Sequence, residues 1–185
     1  MTAPRTIAVR GKAISTLYTA DEIAARNADM AARMKGRVAS DLLVIAILKG
    51  SFVFAADLIR AMHASGIEPE VEFLTLSSYG AGTEAGEVRI LRDVDSDVRG
   101  RDVLLIDDIL ESGNTLRFAR DLMIGRGAAR VEIAVLLDKT SRRKADVRAD
   151  YVGFECPDHF VVGYGMDVGH AFRELPFVGV VEGDA

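Results

Sequence analysis

Apolar residues along this chain follow two rhythms that alternate. Residues 42–48 form an unbroken aliphatic run, and such runs suit a strand covered on both faces. Directly after it, Phe52, Ala55, Ala56, Ile59 and Met62 recur at helical spacing, so the segment reads as strand, tight turn, helix. Thr19, Ala20, Asp21 and Glu22 have capping-box spacing, and Ile23, Ala24, Ala28, Met30, Ala31 and Met34 then give an apolar side. This predicts a helix over residues 20–35. Further strands are predicted at 70–76, 103–106 and 131–137, with a helix at 116–124 stopped by Gly125 and Gly127. Alternation of this kind predicts an α/β fold, a mostly parallel sheet flanked by helices.

Two segments break the rhythm. Between residues 78 and 101 the chain carries Gly80, Gly82, Gly86 and Gly100 among many acids, with only a weak strand-like stretch at 88–91. Structureless loops beyond about 12 to 15 residues are uncommon inside compact domains and often act as lids, so a mobile loop over about 78–101 is expected. After Ala149 come short β-like pieces at 151–154 and 160–162, with Gly163, Gly165 and Gly169 nearby. They suggest a small substructure added to the sheet. Without internal repeats, low-complexity tracts or a proline-marked linker, the expectation is one domain over residues 1–185.

Composition narrows the function classes. The chain has 185 residues, is 49% apolar and 28% charged, and carries a net charge of −5. At this length roughly 70% of the unfolded surface can be buried, so neither a metal nor a disulfide is needed to complete a core. The one cysteine, Cys156, forms no internal bridge, and a reducing compartment is the simpler reading. No apolar run approaches the ~20 residues of a membrane span, and the first residues lack the continuous apolar stretch of a secretory signal. A cytoplasmic protein with no membrane partner is expected. Acidic balance without a Lys/Arg block argues against nucleic-acid binding, which depends on neutralising many phosphates. A small anionic ligand needs only a few well-placed cations and a metal.

The most informative segment is Val103-Leu104-Leu105-Ile106-Asp107-Asp108-Ile109-Leu110-Glu111-Ser112-Gly113-Asn114-Thr115. A buried strand ends in two adjacent carboxylates, and a short loop then enters a helix. Ligands of open α/β sheets bind outside the carboxyl ends of strands, and free N–H groups at a helix start attract anions. The segment therefore reads as phosphate on the loop, with carboxylates beside a polyol or a metal. Ser112 and Thr115 add hydroxyls, and Gly113 lets the backbone approach closely. A plainer alternative makes Asp108 a turn cap and Ser-Gly-Asn-Thr an ordinary loop, but paired acids directly after four aliphatic residues are otherwise hard to place. His63, His159 and His170 have no metal-cluster spacing, and Cys156 is assigned no nucleophilic role.

This segment resembles the diphosphate-sugar signature of the type I phosphoribosyltransferases, and the surrounding chain is similar to the hypoxanthine/guanine branch of bacterial type. The resemblance runs from residue 42 to residue 181. It includes Leu48-Lys49-Gly50-Ser51, Leu76-Ser77-Ser78-Tyr79, Leu136-Leu137-Asp138-Lys139 and Pro157-Asp158-His159-Phe160-Val161-Val162-Gly163-Tyr164-Gly165-Met166-Asp167. It implies a β-rich hood made from about 150–185 with the N-terminal segment, and a lid on which Ser78 and Tyr79 approach the diphosphate. By resemblance, Asp107 and Asp108 hold ribose hydroxyls of 5-phosphoribosyl 1-diphosphate. The backbone from Glu111 through Ser112, Gly113, Asn114 and Thr115 holds the 5′-phosphate. Lys49 and Gly50 lie in a diphosphate-contacting turn that carries a non-proline cis peptide. Lys139 meets the purine 6-oxo group, Phe160 stacks on the base, and Val161 reads its edge through the backbone. Asp167 serves the metal-diphosphate end, so Mg²⁺ is expected at Asp107, Asp108 and Asp167, and Arg173 binds diphosphate. A homodimer or homotetramer is implied, with Arg143 as an interface residue.

The expected reaction joins a 6-oxopurine (hypoxanthine, guanine or xanthine) to ribose 5-phosphate, with Glu111, Lys139 and Arg173 as catalytic groups. Glu111 is a departure, since the family usually has Asp where proton transfer at purine N7 is placed. The alternative is a regulator that senses phosphoribosyl diphosphate without catalysis. Its mark would be an added DNA-binding domain or a basic face, and neither is evident in the sequence. A receiver-type domain is the other rival, but its paired acids lie early in the chain with a separate phosphoacceptor later.

Overall fold

The computed structural model describes residues 6–78 and 88–182. In chain order the elements are β1 (Thr6–Val9), β2 (Lys12–Tyr18), α1 (Ala20–Met34), β3 (Leu43–Leu48), α2 (Phe52–Ala64), β4 (Glu70–Ser78) and β5 (Val88–Arg92), then β6 (Asp102–Leu110), α3 (Asn114–Gly125), β7 (Arg130–Asp138), β8 (Tyr151–Glu155), β9 (Val161–Val162) and β10 (Val178–Val181). Six strands form the main sheet in the order β5-β4-β3-β6-β7-β8, and four form a smaller one in the order β1-β2-β10-β9. The predicted parallel sheet is present, with only β5 antiparallel to its neighbour.

Both faces of the main sheet are covered, which is why its central strands read as continuous apolar runs. Val44, Ala46, Leu104 and Ile106 pack with α1 and α2 on one face. Leu43, Ile45, Leu105 and Val135 pack with α3 on the other. Thr19 caps α1 as predicted: its hydroxyl accepts from the Glu22 N–H at 3.3 Å, and Glu22 Oε2 accepts from the Thr19 N–H at 2.8 Å.

The chain builds the sheet outward from β3 to β4, then returns to place β6 on the other side of β3. The strand order reverses between β3 and β6, and a crevice at such a switch point is the usual ligand site of open α/β sheets. Here the crevice is deepened by unequal ladders. Pairing of β6 with β3 stops at Ala46↔Ile106, whereas pairing with β7 continues through Asp107↔Val135 to Leu110↔Asp138. The strand therefore runs past the predicted 103–106, and its two acids are supported on one side only.

Two expectations change. The 78–101 segment is only partly a loop: Val88–Arg92 adds a strand to β4, Asp93 is clamped by Arg126 at 2.5 Å, and Val98 is buried in the core. Tyr79, and with it the expected lid tip at residues 79–87, lies outside the described residues. The piece at 151–154 belongs to the main sheet as β8, parallel to β7, because Tyr151 fills the core under α1. The smaller sheet comprises the N-terminal hairpin β1-β2 with β9 and β10, and it encloses its own core of Ile14, Val162, Phe172 and Val181. Among the described residues no helix is long and apolar enough to cross a membrane.

Candidate active site

The crevice above β3 and β6 holds a cleft of about 320 Å³ lined by Lys49, Gly50, Asp107, Asp108, Glu111, Ser112, Gly113 and Thr115. The turn after β3 enters through a cis peptide bond between Leu48 and Lys49, as the resemblance implied. Ser51, fully buried beneath the turn, donates from its hydroxyl to the Ile47 carbonyl at 2.5 Å. Gly50 packs so tightly on Asp108 that an added Cβ would run into the carboxylate. Its φ is not left-handed, so close approach explains the glycine.

Asp107 and Asp108 face this cleft side by side. Asp107 Oδ1 accepts from the Asp108 N–H at 3.0 Å, and Asp108 Oδ1 accepts from the Ile109 N–H at 2.8 Å. Burial, and then the neighbouring Asp108 charge, push the Asp107 carboxyl well above the ordinary carboxylate range. Burial raises Asp108 as well, opposed by the hydrogen bonds it receives and by the positive charge of Arg173. Among the described residues neither carboxylate has an ion-pair partner.

The loop after β6 turns into α3 at Gly113, whose φ of 83° is in the left-handed region. It is braced from behind by Arg143, which donates to the Glu111 carbonyl at 3.1 Å, to the Val147 carbonyl at 2.7 Å, to the Leu110 carbonyl at 3.2 Å and to Asp138. Within the chain Arg143 therefore supports this loop. The Lys144 and Ala145 N–H groups, both 2.9 Å from the Ser112 carbonyl, complete the brace. The first amides of α3, at Asn114 and Thr115, are thereby presented at a helix N-terminus, where anions are favoured.

A second cleft, about 300 Å³, adjoins the first and is lined by Asp108, Ile109, Glu111, Lys139, Arg142, His159, Phe160, Val161, Met166 and Asp167. The two share a wall of Asp108, Ile109 and Glu111. Lys139 is 5% exposed, and its Nζ lies 3.4 Å from Glu111 Oε1. Phe160, 47% exposed, stands at the mouth, while Val161 is buried where β9 pairs with β10. Glu111 also lies 3.6 Å from Arg142, which in turn holds Asp158 at 2.7 Å.

Asp167 lines the second cleft with Asp108, although among the described residues no three acidic, His or Cys side chains converge as a metal-binding group. Its carboxylate is occupied by Arg173 at 2.6 Å and by the His170 N–H at 2.8 Å. Arg173 lines a third cavity behind the turn, where it also donates to the Gly165 carbonyl at 2.5 Å. Ser78 is the last residue of β4, its backbone paired with Val88. Sequence reasoning gives no role to Ser51, whose partner is a backbone carbonyl in the preceding strand, or to Arg142, Asn27 and Tyr164, whose partners come from elsewhere in the fold and leave no local pattern.

A crevice at a switch point, a carboxylate pair, a phosphate-type helix start and an adjoining cleft with one buried cation define a nucleotide-type transferase site. A family model for the phosphoribosyl transferase domain matches residues 13–168, and the chain belongs to the phosphoribosyltransferase family. Its relatives are more specific. It is 44% identical over 164 residues to hypoxanthine phosphoribosyltransferase of Escherichia coli (strain K12), a match covering 86% of this chain and 90% of that one. It is 48% identical over 141 residues to hypoxanthine-guanine phosphoribosyltransferase of Bacillus subtilis (strain 168), covering 76% and 77% respectively. The crystal structure of a hypoxanthine phosphoribosyltransferase from Staphylococcus aureus superposes with a TM-score of 0.85 at 41% identity, covering 90% of each chain.

Proposed function

We propose that the chain is a purine salvage enzyme that transfers the phosphoribosyl group of 5-phosphoribosyl 1-diphosphate to a 6-oxopurine, releasing diphosphate and forming the nucleoside monophosphate. The observation that carries this reading is the shared wall of the two clefts. A sugar phosphate seated on Asp107, Asp108 and the 111–115 loop would present its reacting carbon toward the cleft that holds Lys139 and Phe160. Holding base and sugar in one geometry accounts for much of the rate such an enzyme needs. Lys49 and Arg173 stabilise charge on the departing diphosphate. Nucleotide formation from hypoxanthine and from guanine by the purified chain is the direct test, and binding of phosphoribosyl diphosphate without product would favour the sensing alternative.

A magnesium ion fits the carboxylate pair, since two partly buried acids with raised pKa and no ion-pair partner among the described residues favour an added positive charge. Asp107 and Asp108 would hold it together with substrate oxygens, in keeping with the habit of Mg²⁺ to use one or two carboxylates plus phosphates; bound there, it would neutralise diphosphate charge. The working assembly is a homodimer or homotetramer, which light scattering checks.

Two expected outcomes follow from the clefts. Gly50→Ala places a methyl group against an Asp108 carboxylate already fixed by the Ile109 N–H. Loss of one charge-assisted contact is about 1.5–3 kcal/mol, so affinity for phosphoribosyl diphosphate should fall about ten- to a hundredfold by calorimetry. Parental affinity would show that Asp108 does not bind the sugar in this position. Lys139, buried with its ammonium in the base cleft, donates to a 6-oxo group but would meet a donor on a 6-aminopurine. Mispaired buried groups cost about 1–3 kcal/mol, so adenine should be a substrate about ten- to a hundredfold poorer than hypoxanthine, and Lys139→Ala should erase most of the difference. Equal turnover of adenine and hypoxanthine by the parent would refute that assignment.

A further inference from the structure

The third cavity, about 670 Å³, lies between α1, α2 and the C-terminal turns, and along its wall runs a buried polar chain that the site residues do not include. Asn27 of α1, 3% exposed, donates from Nδ2 to the Tyr164 hydroxyl at 3.0 Å. Tyr164 in turn donates to Asp57 Oδ2 of α2 at 2.5 Å. Burial, and then the hydrogen bond to Asp57, push the tyrosine hydroxyl upward, so it stays protonated and remains a donor at neutral pH. The partners are 137 and 107 residues away in the chain, so one hydroxyl joins both helices to a turn of the hood.

The backbone at this turn makes the side chain's task plain. Gly163, Tyr164 and Gly165 have φ of 92°, 50° and 100°, three successive residues in the left-handed region. Glycine serves the two outer positions, but the middle one carries a large L side chain despite the steric cost there. The anchoring of that side chain offsets the cost. Gly165 presses on the other side against the Gly50 carbonyl, closely enough that a Cβ would collide with it. The Gly165 N–H donates to the Arg173 carbonyl at 3.1 Å, and its own carbonyl accepts from the Arg173 guanidinium. Arg173 then holds Asp167.

We infer that Tyr164 is a positioning residue: with its hydroxyl fixed between Asn27 and Asp57, it holds the 163–165 turn down on the turn at Lys49 and Gly50 and so places Arg173 at the diphosphate end of the site. The base end is held by other means, since Val161 is paired to β10 and Lys139 is fixed through its N–H to the Leu110 carbonyl. Met166 and Asp167 of the base cleft adjoin the turn, but the groups that meet the base have anchors of their own, so removing the hydroxyl affects the diphosphate end more than the base end. This inference rests on the reading given under Proposed function.

The test compares Tyr164→Phe, Asp57→Leu and Asp57→Asn with Met30→Ala. Met30 is fully buried on the same side of α1 but takes no part in the polar chain. Tyr164→Phe and Asp57→Leu should raise KM for phosphoribosyl diphosphate about tenfold, the scale of one buried hydrogen bond, with KM for hypoxanthine within about twofold. Asp57→Asn keeps an acceptor for the hydroxyl and should stay near the parent. Met30→Ala should lower Tm at least as much while leaving the ratio of the two KM values unchanged. Amide exchange over residues 163–173 should quicken in Tyr164→Phe and not in Met30→Ala, and this readout needs no activity. A parental KM ratio and parental exchange in Tyr164→Phe, or the same KM shift in Met30→Ala, would overturn the inference. An inactive parent would instead overturn the reading of function, with exchange alone deciding the placement.

Discussion

Replacing Asp107 and Asp108 together by asparagine should lower kcat/KM for phosphoribosyl diphosphate about 10²- to 10⁴-fold while leaving the fold intact. The size follows from losing two charge-assisted interactions of about 1.5–3 kcal/mol each, with about 1.4 kcal/mol to each factor of ten. Survival of the fold follows from the ladder: Asp107 and Asp108 lie beyond the last pairing with β3, and the core contacts of β6 come from Val103, Leu104, Leu105, Ile106 and Leu110. The sign of the stability effect is opposite to that on activity. Both carboxyls are raised in the folded chain, so the folded state holds more protons than the unfolded one. Stability contributed by the pair is therefore present below the ordinary carboxyl pKa of about 4 and is lost as pH rises from there through the raised values. Asparagine removes that loss, and Tm of the double variant at neutral pH should equal or exceed the parent's. Calorimetric affinity for phosphoribosyl diphosphate equal to the parent's would remove the pair from the substrate site.

Legibility in the sequence followed the range over which each feature's cause acts. The runs that became β3 and β6 could be read because burial on both faces leaves a contiguous apolar signature, and α1 because Thr19 and Glu22 close a box within one turn. The pairing of the 103–115 loop with a base cleft came from family resemblance, since Lys139 and Glu111 are brought together only by the alignment of β6 with β7. The hairpin β1-β2 and strand β10 leave little signal; β1 and β10 have four residues each, and β10 joins the hairpin from the opposite end of the chain. The piece at 151–154 reads with the hood because it is short and a similar piece follows at 160–162. Its partner strand β7 and the helix above it place it in the main sheet. Arg143 shows the same limit: its internal acceptors, at Leu110, Glu111, Asp138 and Val147, converge only after two loops have folded.

Changing Glu111 to glutamine should reduce kcat for hypoxanthine about 10²- to 10⁴-fold if this carboxylate moves the proton at purine N7, the range of a removed general acid–base. The residue departs from the aspartate usual in the family, and its extra methylene extends the carboxylate by about 1.5 Å, roughly one C–C bond. The structure shows where that length goes. Glu111 lines both clefts, and its carboxylate leans toward the base side, 3.4 Å from Lys139 and 3.6 Å from Arg142. Neither contact is short, and the side chain is 39% exposed, so the pairing is weakly held and a bound base can displace it. An arriving 6-oxopurine would take Lys139 for its oxo group and leave the carboxylate free to face the ring. Proton transfer requires heavy atoms about 2.6–3.2 Å apart, which a longer side chain meets from a loop set slightly farther back. Glu111→Asp should accordingly retain far more activity than Glu111→Gln, with its shortfall measuring how far the loop is set for glutamate. Glutamine keeps the shape and the hydrogen-bonding reach but cannot take up the proton. A glutamine variant with parental kcat would remove Glu111 from the chemistry and leave the leaving-group contacts of Lys49 and Arg173 to account for the rate.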